Sequence, residues 1–316
     1  MAVIGLDLGG TKLAGAVFDA SGEIIRKEIR PLEKRTGSDV GALITGLVRD
    51  FLESALMSGE SIEAVGACVP GISWTKKGTV WAPNIPGWED YPLKAEIAGT
   101  INDARVPVKI DSDRTCYILG EAWRGAAQGC DDAIFLAVGT GIGAGILSNG
   151  RIVKGSNDIA GAIGWLALDR PYEKKYESCG CFEHHASGEG IAKVARELLV
   201  SEKEYGGVLR SKSADEITAH DVFAAYAAND PVAIKTLGIT VEFWGMAAAN
   251  LVSLFNPEKI IFGGGVFGPA LQFLDAIYAE AKRWAQPISI TQVKFAGSEL
   301  GSDAGLYGAG YLALKF

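Results

Sequence analysis

The chemistry of this chain is most visible near its start, where an apolar run leads into the residues DLGGTK. Glycines let backbone amides close around phosphate oxygens, and a carboxylate at a strand end can hold Mg²⁺ through water. The spacing differs from the Walker phosphate loop, and a tight structural hairpin is the alternative for this pattern alone. The residues of this predicted phosphate and metal site are Asp7, Gly9, Gly10, Thr11 and Lys12.

Two further glycine-rich segments repeat this pattern. The segment GTGIGAG follows an apolar strand predicted at 133–138, and GGGV follows one at 259–262. Two hairpin turns can clamp the β- and γ-phosphates of ATP, and amides at a helix start can meet phosphate or adenosine. Flexible turns between packed strands are the alternative. The predicted nucleotide-binding residues here are Gly139, Thr140, Gly141, Gly143, Gly264, Gly265 and Val266.

Phosphoryl transfer to an alcohol needs a base that takes the hydroxyl proton, which accelerates the reaction by roughly 10²- to 10⁴-fold. Asp113 lies between a predicted strand and a predicted helix. Asp111, two residues earlier, competes for the role, and capping of the helix is the structural alternative for either. Spacing alone leaves this choice open.

The elements that must position these residues alternate between strand and helix, which predicts an α/β fold. A phosphate turn inside a β-hairpin is typical of the two-domain actin/hexokinase-like (ribonuclease H-like) nucleotide-binding fold. We predict a small domain at 1–117, with the C-terminal helix 302–316 packing back on it, and a larger domain at 118–301. Further predicted elements are strands at 3–8, 13–18, 23–30, 62–69 and 288–295, a binding loop at 70–92, and helices at 38–57 and 114–128.

Composition narrows the class of partner. The 316 residues carry a net charge of −8, which argues against nucleic acid or an anionic membrane as the main partner. The apolar stretch 243–257 contains Asn250 and is flanked by glutamates, so we predict a buried helix rather than a membrane span. Five cysteines at irregular spacing favour a reducing compartment. No apolar signal segment opens the chain, and we expect a cytoplasmic protein.

As a set, these motifs resemble the ROK family of repressors, open reading frames and sugar kinases. The resemblance implies an ATP- and Mg²⁺-dependent kinase, most readily a glucokinase acting on the 6-hydroxyl of glucose, and it favours a homodimer. It also aligns Asp113, rather than Asp111, with the family's catalytic base. The matching segments are Asp7–Lys12, Pro70-Gly71, Asn84 with Trp88, Gly139–Gly145, Ala160-Gly161, Gly180–Glu183, Gly263–Val266 and Ala304–Ala309.

The same resemblance implies a sugar site that departs from the family pattern. The family's Asn-Asp-x-Asn is replaced here by the segment 112–115, SDRT, and its Glu-x-Gly-His by the segment 162–165, AIGW. Trp165 can stack on a pyranose or fill space. The residues expected to orient the sugar are Gly71, Asn84, Ser112, Asp113, Glu183 and Trp165.

The family's zinc motif survives only as Cys179-Gly180-Cys181, so we predict that the usual zinc site is absent. Cys179, Cys181, His184 and His185 are all possible zinc ligands. Their spacing is not a usual one, however, and adjacent histidines on a helix diverge by about 100°. The simpler prediction is that apolar packing replaces the metal. The packing residues would be Trp165, Tyr172, Tyr176, Cys181 and Phe182.

Several alternatives remain at this level. An N-acetylhexosamine kinase acting on GlcNAc or ManNAc, or a fructokinase, would use the same donor. A non-catalytic sugar-binding or regulatory relative is an alternative from another class. The family's repressors carry an N-terminal helix-turn-helix, whereas this sequence starts at the phosphate turn, which disfavours DNA binding.

Overall fold

A computed structural model describes residues 2–101 and 103–315 of the protein. The strands are β1 (Ala2–Leu8), β2 (Lys12–Asp19), β3 (Ile24–Pro31), β4 (Ile62–Val69), β5 (Ile72–Trp74), β6 (Thr79–Trp81), β7 (Val108–Ser112), β8 (Ala133–Val138), β9 (Ile142–Ser148), β10 (Arg151–Ile152), β11 (Lys259–Gly263) and β12 (Lys294–Gly297). The α-helices are α1 (Gly37–Ser58), α2 (Leu93–Thr100), α3 (Asp113–Arg124), α4 (Cys181–Ala186), α5 (Gly188–Ser201), α6 (Ala219–Ala227), α7 (Pro231–Phe255), α8 (Leu274–Trp284), α9 (Ser289–Gln292) and α10 (Ala304–Lys315).

The chain forms two compact units. The first comprises Met1–Gly129, Ile152–Ala160 and Ser298–Phe316, and the second comprises Cys130–Arg151 and Gly161–Gly297. The division differs from the predicted boundary after residue 117, because α3 stays whole in the first unit. The segment Ile152–Ala160 also returns to that unit, where Lys154 pairs with Asp111 and Asp158 accepts hydrogen bonds from Thr75.

The first unit is built on a five-stranded sheet in the order β3-β2-β1-β4-β7. Strands β1, β2 and β3 pair antiparallel, whereas β4 and β7 join β1 in parallel. The strand β1 is almost fully buried because its side chains face cores on both sides of the sheet. Strands β1 and β7 both run parallel to β4, so their carboxyl ends lie at the same edge of the sheet. Asp7 and Asp113 are therefore both at that edge.

Helix α10 closes one face of this sheet by unusually close backbone contacts. A Cβ atom on Gly308 would overlap the backbone of Cys116 in α3, and one on Gly66 in β4 would overlap Ala309. Side chains of any size would push these elements apart. The small residues of the C-terminal segment therefore allow α10 to pack closely within the first unit.

The second unit contains a sheet with the corresponding order, β10-β9-β8-β11-β12. Strands β8 and β9 form an antiparallel hairpin, and β11 and β12 continue in parallel. In each unit, a glycine turn joins the first two strands of the sheet, which are β1 and β2 or β8 and β9. This repeated arrangement is the actin/hexokinase-like α/β fold that the sequence predicted.

Helix α7 lies in the core of the second unit. Among the described residues it is the helix long and apolar enough, by length and composition, to cross a membrane, but more than half of its most apolar stretch is buried. Trp244 is fully buried and donates a hydrogen bond of 3.0 Å to the carbonyl oxygen of Ala186. A helix in the core of a globular unit can be as long and as apolar as a membrane span.

Two sequence predictions of local structure were wrong. The stretch predicted as a strand at 288–295 begins as the one-turn helix α9, because the Gln286 side chain accepts hydrogen bonds of 2.8 and 2.7 Å from the amides of Ile288 and Ser289. The strand β12 begins only at Lys294. The loop predicted at 70–92 contains the short antiparallel pair β5 and β6.

Candidate active site

The first glycine turn joins β1 to β2 in the first unit. It is closed by a hydrogen bond of 2.9 Å from the Gly9 amide to the Lys12 carbonyl oxygen. Gly10, Thr11 and Lys12 are exposed, so their backbone amides and the Lys12 ammonium are accessible to an anion. The amide nitrogen of the Asn84 side chain lies beside Gly10, 3.8 Å from the position of a Cβ atom there.

Asp7 is the next-to-last residue of β1, which ends at Leu8 directly before this turn. Its carboxylate packs against the Cα of Gly305 in α10, where a Cβ atom would approach it to 2.7 Å. The pKa of Asp7 is raised from 3.8 to about 6, mainly by burial and to a smaller extent by the charge of Asp113, while a hydrogen bond from Cys68 opposes the shift. Two neighbouring carboxylates of this kind favour a bound cation.

Asp113 is the first residue of α3, directly after β7. Its Oδ1 accepts a hydrogen bond of 2.7 Å from the Arg114 amide, and burial raises its pKa while the Arg114 charge lowers it. The competing residue, Asp111, is buried and its Oδ2 lies 2.5 Å from the Lys154 ammonium. Asp111 is therefore engaged in an ion pair, whereas the half-buried Asp113 carries no ion pair among the described residues.

The structure places three of the predicted sugar residues in the first unit with these carboxylates. Gly71 adopts a φ of 82°, and a Cβ atom there would overlap the Trp81 carbonyl, so glycine is required. Asn84 is exposed, and Ser112 is only 5% exposed, with its amide donating to Asp111 Oδ1 at 2.8 Å. Trp88 belongs to the core and stacks on Tyr91 at a centroid distance of 4.4 Å.

The second glycine turn joins β8 to β9 in the second unit and is held from two sides. The Ile142 amide donates to Glu183 Oε2 at 2.7 Å, and the Gly188 amide donates to the Gly139 carbonyl oxygen at 2.8 Å. A Cβ atom on Gly141 would lie 2.8 Å from Glu183 Oε2. Glu183, predicted on sequence to orient the sugar, thus also fixes the geometry of the turn.

The second and third glycine turns meet at one cavity of about 560 Å³ in the second unit. This volume falls within the roughly 300–1,000 Å³ of small-molecule sites. Gly139, Thr140, Gly265 and Val266 all line it. Gly264 lies beside them with a φ of 89°, where a Cβ atom would overlap Val138. Gly143 lies within β9, paired with Ala137, and does not line the cavity.

The residues of the far wall of this cavity were not predicted from the sequence. This wall is formed by α5 and by the start of α6, where Thr218 and Asp221 make a reciprocal capping box. The capping pattern marks a helix start but does not indicate a ligand. The missed lining residues with side chains suited to a purine base are Arg196, Ile217, His220 and Phe223.

Trp165 does not fill space in the second unit. It lies in a 3₁₀ turn with 59% of its side chain exposed, and Tyr172 is 71% exposed. The prediction that both replace zinc by apolar packing was therefore wrong, since the Gly180 turn packs against the Trp165 backbone rather than its indole. Tyr176, Phe182 and Cys181 are buried, as predicted.

The two adjacent histidines of α4 have protein partners. His184 Nε2 lies 3.2 Å from Glu197 Oε1, and His185 Nε2 lies 3.1 Å from the Tyr176 hydroxyl. The His185 ring stacks on Phe243 at a centroid distance of 4.2 Å. Within the described residues, no group of three or more Cys, His, Asp or Glu has a metal-binding arrangement.

Mg²⁺ bound with a nucleotide needs fewer protein ligands than a metal held by the protein alone. It commonly keeps several waters and uses one or two carboxylates plus substrate phosphates. Asp7, with a pKa raised by burial and by Asp113, fits such a role beside an exposed glycine turn.

The fold agrees with comparisons to known proteins. The sequence matches the ROK family over residues 3–316, and the chain belongs to this family. It is 35% identical over 317 residues to a glucokinase of Halalkalibacterium halodurans, covering 98% of this chain and 94% of that protein. The family and fold class predicted from sequence are thereby confirmed.

Two solved structures give the same result. The ROK hexokinase of Thermus thermophilus is 29% identical, with a TM-score of 0.79 and coverage of 99% of this chain and 98% of the other. A ROK family glucokinase of Streptomyces griseus, in complex with glucose and AMPPNP, is 28% identical with a TM-score of 0.74 and full coverage of both chains. These likenesses extend over whole chains rather than a single motif.

Proposed function

We propose that the chain is an ATP-dependent sugar kinase that phosphorylates the 6-hydroxyl of a hexose, with glucose as the first candidate. The observation that carries the proposal is the cavity of the second unit, lined at once by two glycine turns that the sequence predicted to bind nucleotide. Relatives named glucokinase over nearly the full length support the choice of glucose.

In this proposal Asp113 takes the proton of the acceptor hydroxyl. Burial raises its pKa, which favours proton uptake, and within the described part of the chain no ion pair engages its carboxylate. The residues assigned to orienting the sugar are Gly71, Asn84, Ser112, Glu183 and Trp165. The exposed indole of Trp165 is available to stack on a pyranose.

The nucleotide is assigned to three glycine turns. Gly9, Gly10, Thr11 and Lys12 bind phosphate, as do Gly139, Thr140 and Gly141. Gly264, Gly265 and Val266 border the adenosine, with Phe223 and Ile217 offering apolar contact to the base. Gly143, buried in β9, is assigned a packing role instead. Asp7 would hold Mg²⁺, which neutralises phosphate charge during transfer.

A panel of sugars tests the assignment. Glucose, mannose, GlcNAc, ManNAc and fructose are supplied at fixed Mg-ATP, and ADP release is followed by a coupled assay. We expect the highest kcat/KM for glucose. A preference for GlcNAc or ManNAc would replace glucose with an N-acetylhexosamine, and tight binding of a sugar without turnover of any would replace the kinase with a sugar-binding protein.

We also propose a cytoplasmic homodimer that acts on a small sugar without nucleic acid or membrane partners. The net charge of −8 supports the exclusion of polyanionic partners, and the use of ATP supports the location. Analytical ultracentrifugation of the purified protein tests the dimer, and a sedimenting species of monomer mass would contradict it.

A further inference from the structure

A second, smaller cavity lies in the first unit, and none of the residues assigned above to nucleotide, sugar or proton transfer lines it. Its volume is about 180 Å³, below the roughly 300–1,000 Å³ typical of sites for drug-sized ligands. It is bordered by β5, β7 and α10, with Leu312 forming an apolar wall. A small ion fits this space, whereas a nucleotide does not.

Three lysines line this cavity against one carboxylate. Lys94, Lys109 and Lys154 line it together with Asp111, and Ser73 and Thr75 complete the polar lining. Asp158 stands just behind, where it accepts hydrogen bonds of 3.1 and 2.9 Å from the Thr75 amide and hydroxyl. Lysine ammonium groups in one concave site repel each other unless an anion compensates them.

The lysines retain unused donors. The Lys154 ammonium has three donors, and its ion pair with Asp111 engages one face of it. Lys109 donates to the Ala313 carbonyl oxygen at 3.2 Å, and among the described residues it has no carboxylate within ion-pair distance. Lys94 is exposed at the rim, with its methylene groups against Gly78.

The Lys109 ammonium is half-buried, and desolvation lowers its pKa. A buried ammonium without a carboxylate partner is stabilised by any anion that enters the cavity. The cavity thus combines three lysines with a space that admits a tetrahedral ion.

We propose that this cavity is a binding site for a small oxyanion, either inorganic phosphate or the phosphoryl group of a small monoester. Lys109 and Lys154 contact the anion from the floor and Lys94 from the rim. The site is distinct from the glycine turns, which belong to other parts of the sheets. The proposal does not depend on the acceptor sugar or on turnover.

Calorimetric titration of the full chain with inorganic phosphate tests the site. AMPPNP is present at saturation so that the glycine turns are occupied. We expect saturable binding that is weakened about tenfold or more in both K109M and K94M, because each loses a charge-assisted hydrogen bond. The exposed rim variant K94M guards against misfolding of K109M, and K94R should stay close to wild type.

Two controls locate the binding. K282M removes an exposed lysine on α8 in the second unit and should leave the affinity unchanged. K12M, assayed without AMPPNP, should also keep this binding, because Lys12 lies in the glycine turn. Unchanged affinity in both K109M and K94M, loss in K12M alone, or no saturable binding would each overturn the proposal.

A parallel titration with glycerol 3-phosphate separates the two sources of the phosphoryl group. Tighter binding than inorganic phosphate identifies a monoester, and weaker binding identifies the free ion. Because D113N removes no group that lines this cavity, it should bind phosphate as wild type does. A chain that proves inactive on every sugar therefore leaves this test intact.

Discussion

The carboxylate of Glu183 accepts a 2.7 Å hydrogen bond from the backbone amide of Ile142, which fastens α4 to the first residue of β9. A residue expected on sequence to touch the sugar thus supports the turn proposed to bind nucleotide phosphates. One side chain can serve both purposes, because a carboxylate has two oxygens and several acceptor sites.

Replacing Glu183 separates these two roles. In E183A the buried Ile142 amide loses its partner, which costs about 1–3 kcal/mol, so we expect KM for ATP to rise about tenfold. E183Q keeps an acceptor oxygen and should retain the wild-type KM for ATP. Steady-state kinetics with ATP varied at saturating sugar measures both. A change confined to the KM of the sugar would assign Glu183 to the acceptor alone.

Asp113 and Asp111 are distinguished by turnover. Loss of a general base should lower kcat by about 10²- to 10⁴-fold in D113N, with sugar binding retained in calorimetry. D111N keeps an acceptor for the Ser112 amide and should remain within about tenfold of wild-type kcat, since we propose Asp113 as the residue that takes the proton. The reverse ranking would move the base to Asp111.

Asp7 should support catalysis but lower the stability of the folded protein at neutral pH. Its pKa rises from 3.8 in the unfolded chain to about 6 in the folded protein, so the folded state binds the proton more tightly. Stability contributed by this group is complete below pH 3.8 and is lost as the pH rises through 6. The loss is roughly 2–3 kcal/mol.

The variant D7N carries no such cost. Without Mg²⁺ at pH 7.5, we expect D7N to unfold at higher urea concentration than wild type while losing kinase activity. Measuring both proteins at pH 4 provides the control, since the difference in unfolding free energy should shrink there. Equal stability at pH 7.5 would contradict the burial of an ionised Asp7.

His185 should make the second unit sensitive to acid. Burial first, and the charge of His184 next, lower the pKa of His185 from 6.5 to about 4. A lowered pKa of a base contributes stability that is present above pH 6.5 and lost progressively as the pH falls toward 4, by roughly 2–3 kcal/mol. Urea unfolding between pH 8 and 4 measures this loss.

The matched variant is H185F, which keeps an aromatic ring against Phe243. Its unfolding free energy should depend less on pH over this range than that of wild type. Zinc analysis of the same preparations, purified without added metal, tests the prediction that the family's zinc site is absent and replaced by packing. Near-stoichiometric zinc would refute it, because metal-bound histidines would not titrate in this way.

Glycine has opposite effects at two helix positions. G308A should destabilise the protein by several kcal/mol, because the added Cβ overlaps the Cys116 backbone and α3 and α10 cannot both keep their places. Gly238 in α7 is exposed with no atom near its Cβ position, so G238A should stabilise by about 1 kcal/mol. Thermal unfolding measures both, and equal effects would contradict the close packing of α10.

The sequence predicted features that short segments determine. The glycine turns at Gly9 and Gly139, the strands before them and the carboxylate at Asp7 are local patterns, and the structure contains each as a hairpin. Pairing across the chain was beyond such reasoning. Nothing near Lys154 in sequence indicates that it meets Asp111, and nothing near Phe223 indicates a cavity shared with Val266.

Side-chain competition explains other differences. Ile288 and Ser289 have strand-like neighbours in sequence, but the Gln286 side chain satisfies their amides and a helical turn follows. Trp165 is apolar by type and was expected equally in a core or at a sugar. It is exposed, and the backbone of Gly180 packs against its Cα, a contact that residue type does not encode.

The matching strand order of the two sheets places their first hairpins in corresponding positions. Asp7 pairs with Ala14 one step before the first glycine turn, and the same place in the second hairpin is held by Ala137, paired with Gly143. One carboxylate therefore distinguishes the two hairpins at this place, so we expect a cation beside the first turn and only anionic groups at the second.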